Sequence, residues 1–194
     1  MHYCLKSWLE MENHGFEICY WDQEQLWAFL NAKYKFAVDT YLTARNHAER
    51  ADIARYLLVY HYGGYYVDWD ISLNNPNLFL QIVQKEENGY FVVDPTNGTL
   101  ASEHFSSKKH NPYLFQLVKD IVATFERGER ELMGTPQYSG PFRMKATLQK
   151  IKHLEQTKIS VKDIFEYSYD EIRGKREYCK SGILTHFWEH TWLK

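Results

Sequence analysis

Apolar residues recur along this chain at two spacings, one helical and one strand-like, in alternating blocks. Leu5 to about Met11 reads as the end of a helix, and Gly15 then opens residues 16–21, whose run predicts a strand. Asp22 is placed to cap a helix carrying Leu26, Phe29 and Leu30. Over residues 48–62, Ala51, Ala54, Leu58 and Tyr62 fall at helical spacing, and Gly63-Gly64 supplies the stop. Residues 65–68 read as a short strand. Asn75-Pro76 and Asn111-Pro112 each open a helix with proline at its first position, the first with Leu78, Phe79, Ile82 and Val83 as its apolar stripe. Residues 90–93 form a buried-type strand, residues 141–151 a helix, and residues 159–161 and 183–188 two further strands. Such alternation indicates an α/β layered domain.

Neither repeat nor linker divides the 194 residues, so the expectation is a single domain spanning 1–194. Lys and Arg (23) nearly balance Asp and Glu (25), which argues against nucleic acid as the main partner, because phosphate binding needs clustered cations. Hydrophobic residues make up 44%, enough to exclude disorder. Aromatics are abundant, with 15 Tyr, 11 Phe and 6 Trp, and are assigned first to the core, then to a surface that stacks rings. Cys4, Cys19 and Cys179 are widely spaced without a CxxC, which fits reduced thiols in a cytoplasmic setting. The first residues lack a secretory-signal pattern, and no apolar run approaches the roughly 18–20 residues that cross a bilayer.

The chemistry concentrates in Ala51-Asp52-Ile53-Ala54-Arg55-Tyr56 and, further on, Gly63-Gly64-Tyr65-Tyr66-Val67-Asp68-Trp69-Asp70. Asp52 and Arg55, three apart on a helix, share a face. Asp68 and Asp70, two apart on an extended segment, point the same way while Trp69 points oppositely. Carboxylates at a strand end of an α/β sheet stand where ligands usually bind, and oxygen donors suit Mg²⁺ or Mn²⁺ with phosphate oxygens. A bare D-x-D is commonplace, and Asp52–Arg55 alone reads as a surface ion pair; the compound pattern is far more specific.

That pattern, A-[SD]-D-x-x-R-Y…G-G-x-Y-x-D-x-D, resembles the sugar-nucleotide site of DXD-containing glycosyltransferases of family 32, the yeast Och1-like and bacterial capsular polysaccharide type. Further echoes are Cys4-Leu5-Lys6-Ser7-Trp8, Ser139-Gly140-Pro141, and His186-Phe187-Trp188-Glu189-His190-Thr191-Trp192. The resemblance implies a GT-A-like mixed sheet flanked by helices and a metal-dependent, retaining hexosyl transfer from a nucleotide-diphosphate sugar to a saccharide or glycolipid. UDP-sugars are favoured as donors. It also implies that Asp68 and Asp70 are catalytic, with Mn²⁺ or Mg²⁺ held by Asp70, Asp68 and His186. Donor sugar would be gripped by Asp52, Arg55, Tyr66 and Asp68, and diphosphate by Trp192. The family's usual first strand is missing before the C-L-x-S-W helix, so the domain reads as N-terminally truncated. A non-catalytic sugar-nucleotide or glycan-binding remnant is therefore the second reading. Peripheral membrane contact is compatible with the small basic patch Lys108-Lys109-His110.

Two other motifs compete. Residues 65–72 imitate the hhhDxDx[T/S] start of haloacid-dehalogenase-like phosphohydrolases, but no downstream acidic element follows. His186-Phe187-Trp188-Glu189-His190 matches H-x-x-E-H, in a run of strand formers rather than on a helix. Asp94, Asn97 and Glu103 are placed in a loop, where each reads as structural or acceptor-facing rather than as a nucleophile.

Overall fold

The computed structural model describes residues 2–173 and 182–189. Helices α1 (His2–Trp8), α2 (Gln23–Lys33), α3 (Val38–Leu42) and α4 (His47–Tyr62) come first, followed by strands β1 (Gly64–Val67) and β2 (Ile71–Leu73). Then come α5 (Pro76–Lys85), β3 (Tyr90–Val93), β4 (Leu100–Ser107), α6 (Pro112–Glu126), α7 (Thr135–Tyr138) and α8 (Pro141–Leu148). The last described elements are β5 (Thr157–Ser160), α9 (Val161–Ile164), α10 (Tyr169–Arg173) and β6 (Leu184–His186).

Asparagine and aspartate caps set the helix starts. The Asn46, Asn75 and Asn111 side chains accept backbone N–H bonds at the heads of α4, α5 and α6, and Asp22 and Gln25 form a reciprocal capping box on α2. Gly63 ends α4 at φ 72°, a left-handed value that costs glycine nothing. A Cβ there would also stand 3.0 Å from the Lys109 nitrogen.

A four-stranded mixed sheet has the order β1-β4-β3-β5, with β4 antiparallel to both neighbours and β3 parallel to β5. Its two faces are both covered. Phe91 and Phe105 pack against α4 and α6 through Tyr56, Leu57, Leu114 and Leu117. Tyr90 and Val92, pointing oppositely, pack with Trp8, Phe79, Ile164 and Phe165. The small antiparallel sheet β2-β6 lies on this second side, clamped by α1: the Trp8 indole donates to the Ile71 carbonyl at 2.9 Å, and Ser7 Oγ accepts from the Leu73 N–H at 2.8 Å. The α/β class therefore stands, as a mixed sheet flanked by helices.

Three expectations need correction. Residues 16–21 form no strand; Phe16 and Ile18 are covered by the second core cluster instead, so their apolar character is satisfied without a ladder. Strand β4 was not expected, and it is the longest described. Glu103 lies on it rather than in a loop, while Asp94 and Asn97 do sit in the turn that precedes it. Finally, Val161 begins a helix instead of ending a strand, because the Ser160 hydroxyl caps it. Cys4 and Cys19 are free, and Cys179 lies outside the described residues. No described helix is long and apolar enough to cross a membrane.

Candidate functional site

The mid-section of α4 presents Asp52 and Arg55 to the end of β1. Both are buried, and Arg55 Nε stands 3.5 Å from Asp52 Oδ1. The guanidinium also donates to the Ser102 carbonyl of β4 at 2.7 Å, lies 3.4 Å from Asp68 Oδ1, and stacks over the Tyr66 ring at 4.6 Å. Tyr66 in turn donates its hydroxyl to Asp68 Oδ1 at 2.6 Å. On the far side Ser139 donates to Asp52 Oδ2 at 2.6 Å, and its carbonyl is fixed by the Tyr56 hydroxyl at 2.9 Å. Gly140 lets that segment approach: a Cβ there would stand 3.1 Å from Pro136 Cα and 3.7 Å from Asp52 Oδ2.

Asp68-Trp69-Asp70 is a turn, not an extended segment, because β1 stops pairing at Val67 and the chain must cross to the small sheet. The Ile71 N–H closes it on the Asp68 carbonyl at 3.1 Å. The two carboxylates therefore have different partners. Asp68 is held by Tyr66 and Arg55, whereas Asp70 Oδ2 lies 3.3 Å from His186 Nε2 and accepts the Glu189 N–H at 2.9 Å. The Asp70 carbonyl accepts the Phe187 N–H at 3.0 Å, and Trp188 stacks on the His186 ring at 3.8 Å. His186 Nδ1 is buried and 3.9 Å from Glu103 Oε1, too far for a hydrogen bond.

These surroundings tune the groups in opposite senses. Burial pushes the Asp52 carboxyl up to about 6, against the pull of Arg55 and Ser139. Burial acts upward on Asp70 too, but the His186 bond, the His186 charge and the Glu189 N–H outweigh it and hold that carboxyl below its ordinary range. Burial pulls His186 down, while Asp70 and Glu103 more than compensate and raise it. Burial raises Glu103.

Residues 1–88 match the family model described as the glycosyltransferase sugar-binding region containing DXD motif. The likeness to that sugar-binding region covers 88 of the 194 residues. Inositol phosphoceramide mannosyltransferase 1 of Schizosaccharomyces pombe is 24% identical over 111 residues, 57% of this chain and 33% of its own length. Inositol phosphoceramide mannosyltransferase 3 of the same organism is 34% identical over 109 residues, 55% of this chain and 28% of its own length. The chain thus spans about a third or less of these curated relatives. A solved structure titled PaToxG Glycosyltransferase aligns over 74% of this chain and 51% of its own, at 18% identity and a TM-score of 0.49.

Within the DXD region the structure brings together Asp52, Arg55, Tyr66, Asp68 and Asp70, and adds His186 from β6. Trp192 lies outside the described residues, as does His190 of the H-x-x-E-H match. His186 ends a strand, which that motif's helix does not allow. The phosphohydrolase reading loses its setting too, since β1 is an antiparallel edge strand. Sequence reasoning missed Glu103 as a neighbour of His186, and missed the Ser102 carbonyl and Glu189 N–H, whose backbone roles leave no side-chain signal.

Among the described residues no three His, Cys, Asp or Glu side chains are grouped so that they could hold a metal ion. Of the residues expected to hold a cation, Asp70 and His186 stand together at 3.3 Å, while Asp68 is engaged with Tyr66 and Arg55. The surplus of carboxylates around Arg55 and His186 favours positive charge, with Asp52, Asp68, Asp70 and Glu103 all in contact or electrostatic range.

Proposed function

We propose that this chain carries out metal-dependent, retaining transfer of a hexose from a nucleotide-diphosphate sugar to a glycolipid or saccharide acceptor. What supports the reading most is the division of labour between the two aspartates of the turn, Asp68 tied to the sugar-facing Arg55 and Asp70 kept charged beside His186. The names of the two mannosyltransferases favour mannose as the sugar and an inositol-phosphate lipid headgroup as the acceptor. A UDP-sugar, favoured from the sequence, stays in the same donor class.

Asp52, Arg55 and Tyr66 offer acceptors and donors fixed in place by Ser139, Ser102 and Asp68, so sugar hydroxyls meet groups that need no reordering. Asp70 and His186 would hold Mg²⁺ or Mn²⁺. When bound, that ion supplies positive charge to the departing diphosphate. For the transfer itself a front-face course is favoured, the leaving phosphate oxygen taking the acceptor's proton. Asp52 and Asp68 are already engaged with Arg55, and Asp70 with His186. Glu103, raised by burial, is a weak nucleophile.

Incubation with Mn²⁺ and a panel of UDP- and GDP-sugars tests this. The expected result is slow donor hydrolysis, lost in Asp70→Ala and faster when a phosphoinositol lipid is added. Donor binding without turnover would favour the glycan-binding remnant, and phosphate release from monoesters would favour the phosphohydrolase.

A further inference from the structure

At the C-terminal end of α4, nine residues beyond Asp52 and so about 13 Å along the helix axis, the molecule carries a face unrelated to the sugar site. Its rings form one connected train. Trp21 meets Tyr62 at 5.7 Å, Tyr62 meets His61 at 4.6 Å, and His61 meets Tyr34 at 5.8 Å. Tyr34 reaches Phe36 at 6.4 Å, and Phe36 reaches Phe115 at 5.7 Å. Two members stand well out of the surface, Tyr62 at 48% exposure and Phe36 at 42%. Between Phe36, Phe115 and the His61–His110 pair lies an open groove of about 440 Å³.

The groove carries charge of one sign, while Glu87 stands with Tyr62 and Lys109 at the edge of the face. The titratable groups lining the groove are Lys33, His61, His110 and the phenols of Tyr34 and Tyr60, and none is a carboxylate. Lys119 Nζ lies 5.2 Å over the Phe115 ring, and Lys109 is near enough to act on His61, whose pKa is lowered first by burial and then by Lys33, His110 and Lys109. Among the described residues Lys33, Lys109 and Lys119, like most of the other lysines, make no ion pair, so their charges are free to meet an anion. The face is also built to hold its shape. His110 keeps a left-handed φ of 61° while its N–H bonds the Tyr60 carbonyl at 2.7 Å, which sets its ring edge-on to Tyr60 at 5.3 Å.

Projecting rings with an apolar body and unpaired lysines beside them match the headgroup layer of an anionic bilayer. We propose that the Tyr62–Phe36–Phe115 face docks this protein on a membrane surface bearing anionic phospholipid headgroups. Phe36 and Tyr62 enter the headgroup layer, and Lys33, Lys109 and Lys119 meet lipid phosphates. This assignment does not depend on the sugar donor or on turnover.

Co-sedimentation with vesicles tests it, comparing pure phosphatidylcholine with equimolar phosphatidylcholine and phosphatidylserine. The expected result is binding to the anionic vesicles alone, weakened by salt. The triple charge reversal Lys33→Glu, Lys109→Glu, Lys119→Glu should lower vesicle affinity by at least roughly a hundredfold, at about fivefold per lysine. Phe36→Ser should weaken it with the lysines intact. Both variants should keep the wild-type circular dichroism and nucleotide-sugar binding, which separates loss of docking from loss of fold. Equal binding to both vesicles, no binding to either, or an unchanged triple variant overturns the proposal. So does a wild-type dimer that Phe36→Ser splits into monomers, since the face would then pair with a second copy.

Discussion

Asp52 and Asp70 lie on opposite sides of one buried cluster, and their surroundings drive them apart. Asp52 is assembled almost locally: α4 supplies it together with Arg55, and its carboxyl rises to about 6 because burial outweighs its partners. Asp70 is assembled from far away. Its partners His186 and the Glu189 N–H arrive from more than a hundred residues on, and they hold its carboxyl low. One carboxylate is set to trade hydrogen bonds and the other to keep its charge. The local half should therefore govern folding, and the distant half should govern chemistry.

The sharpest way to break that contrast is Arg55→Met. It removes the guanidinium that, among the described residues, faces both Asp52 and Asp68, and leaves Asp52 buried without that cation. Breaking a buried pair from one side typically costs about 3–5 kcal/mol. Urea unfolding should show a loss of that size; a change below about 1 kcal/mol would mean that the cluster is far better hydrated than its burial suggests.

Asp70→Asn attacks the other half. Asparagine still accepts the Glu189 N–H, so the melting temperature should move by only a few degrees. Donor turnover should fall roughly a hundredfold or more, because a charge facing the diphosphate is gone. A large stability loss with normal turnover would reverse the assignment of roles.

Acid titration sharpens the contrast further, through Asp52 and a buried histidine beneath the site. His104 is fully buried between the Tyr66 carbonyl at 2.8 Å and the Tyr90 hydroxyl at 2.7 Å, and burial lowers its pKa from 6.5 to about 4. Between those values the unfolded chain binds the extra proton, so stability rises with pH. It is lost as pH falls through that window, by roughly 3 kcal/mol in all. Asp52 runs the opposite way. Its carboxyl takes a proton near 6 when folded but only near 3.8 when unfolded, so falling pH relieves its burial by a similar roughly 3 kcal/mol. The two nearly cancel. Asp52→Asn should therefore turn a shallow acid limb into a steep one between pH 6 and 4, read by chemical denaturation at stepped pH. Parallel curves for the variant and the wild type would show that Asp52 stays ionised in the fold.

How much of this could be read from the residues follows the same division. The caps Asp22, Asn75 and Asn111, the Gly63 stop and the Asp52/Arg55 face are local signals, and each stands where the pattern places it, whereas the Asn46 cap of α4 came only with the structure. Strand β4 was invisible because Leu-Ala-Ser-Glu-His-Phe-Ser-Ser looks solvent-facing. Its polar groups are satisfied at long range instead: Ser106 by the Tyr90 N–H, Ser107 by Gln156, His104 by Tyr90, and the Ser102 carbonyl by Arg55. A polar strand can be buried when its partners come from other elements, fourteen or more residues away and so outside the strand's own alternation. The turn at Asp68–Asp70 was misread for a related reason. Its extended appearance comes from Tyr65-Tyr66-Val67, but the strand ends where its ladder to β4 ends.

Ser139 gives the smallest and most discriminating test. It lies more than eighty residues from Asp52, yet its hydroxyl donates to Asp52 Oδ2 at 2.6 Å while its own burial is complete. Ser139→Ala leaves the backbone turn and the Tyr56 bond in place and deletes one hydrogen bond to a carboxylate, worth about 2 kcal/mol. That bond opposes the rise of the Asp52 carboxyl, so its removal lets the carboxyl climb further above 6. The cost should therefore be largest at high pH, where Asp52 is ionised and loses a donor, and should shrink as the carboxyl takes its own proton. Denaturation at pH 8 and pH 5 reads the difference directly. A cost independent of pH would mean that Ser139 matters for packing alone, and that the charge of Asp52 is governed by Arg55.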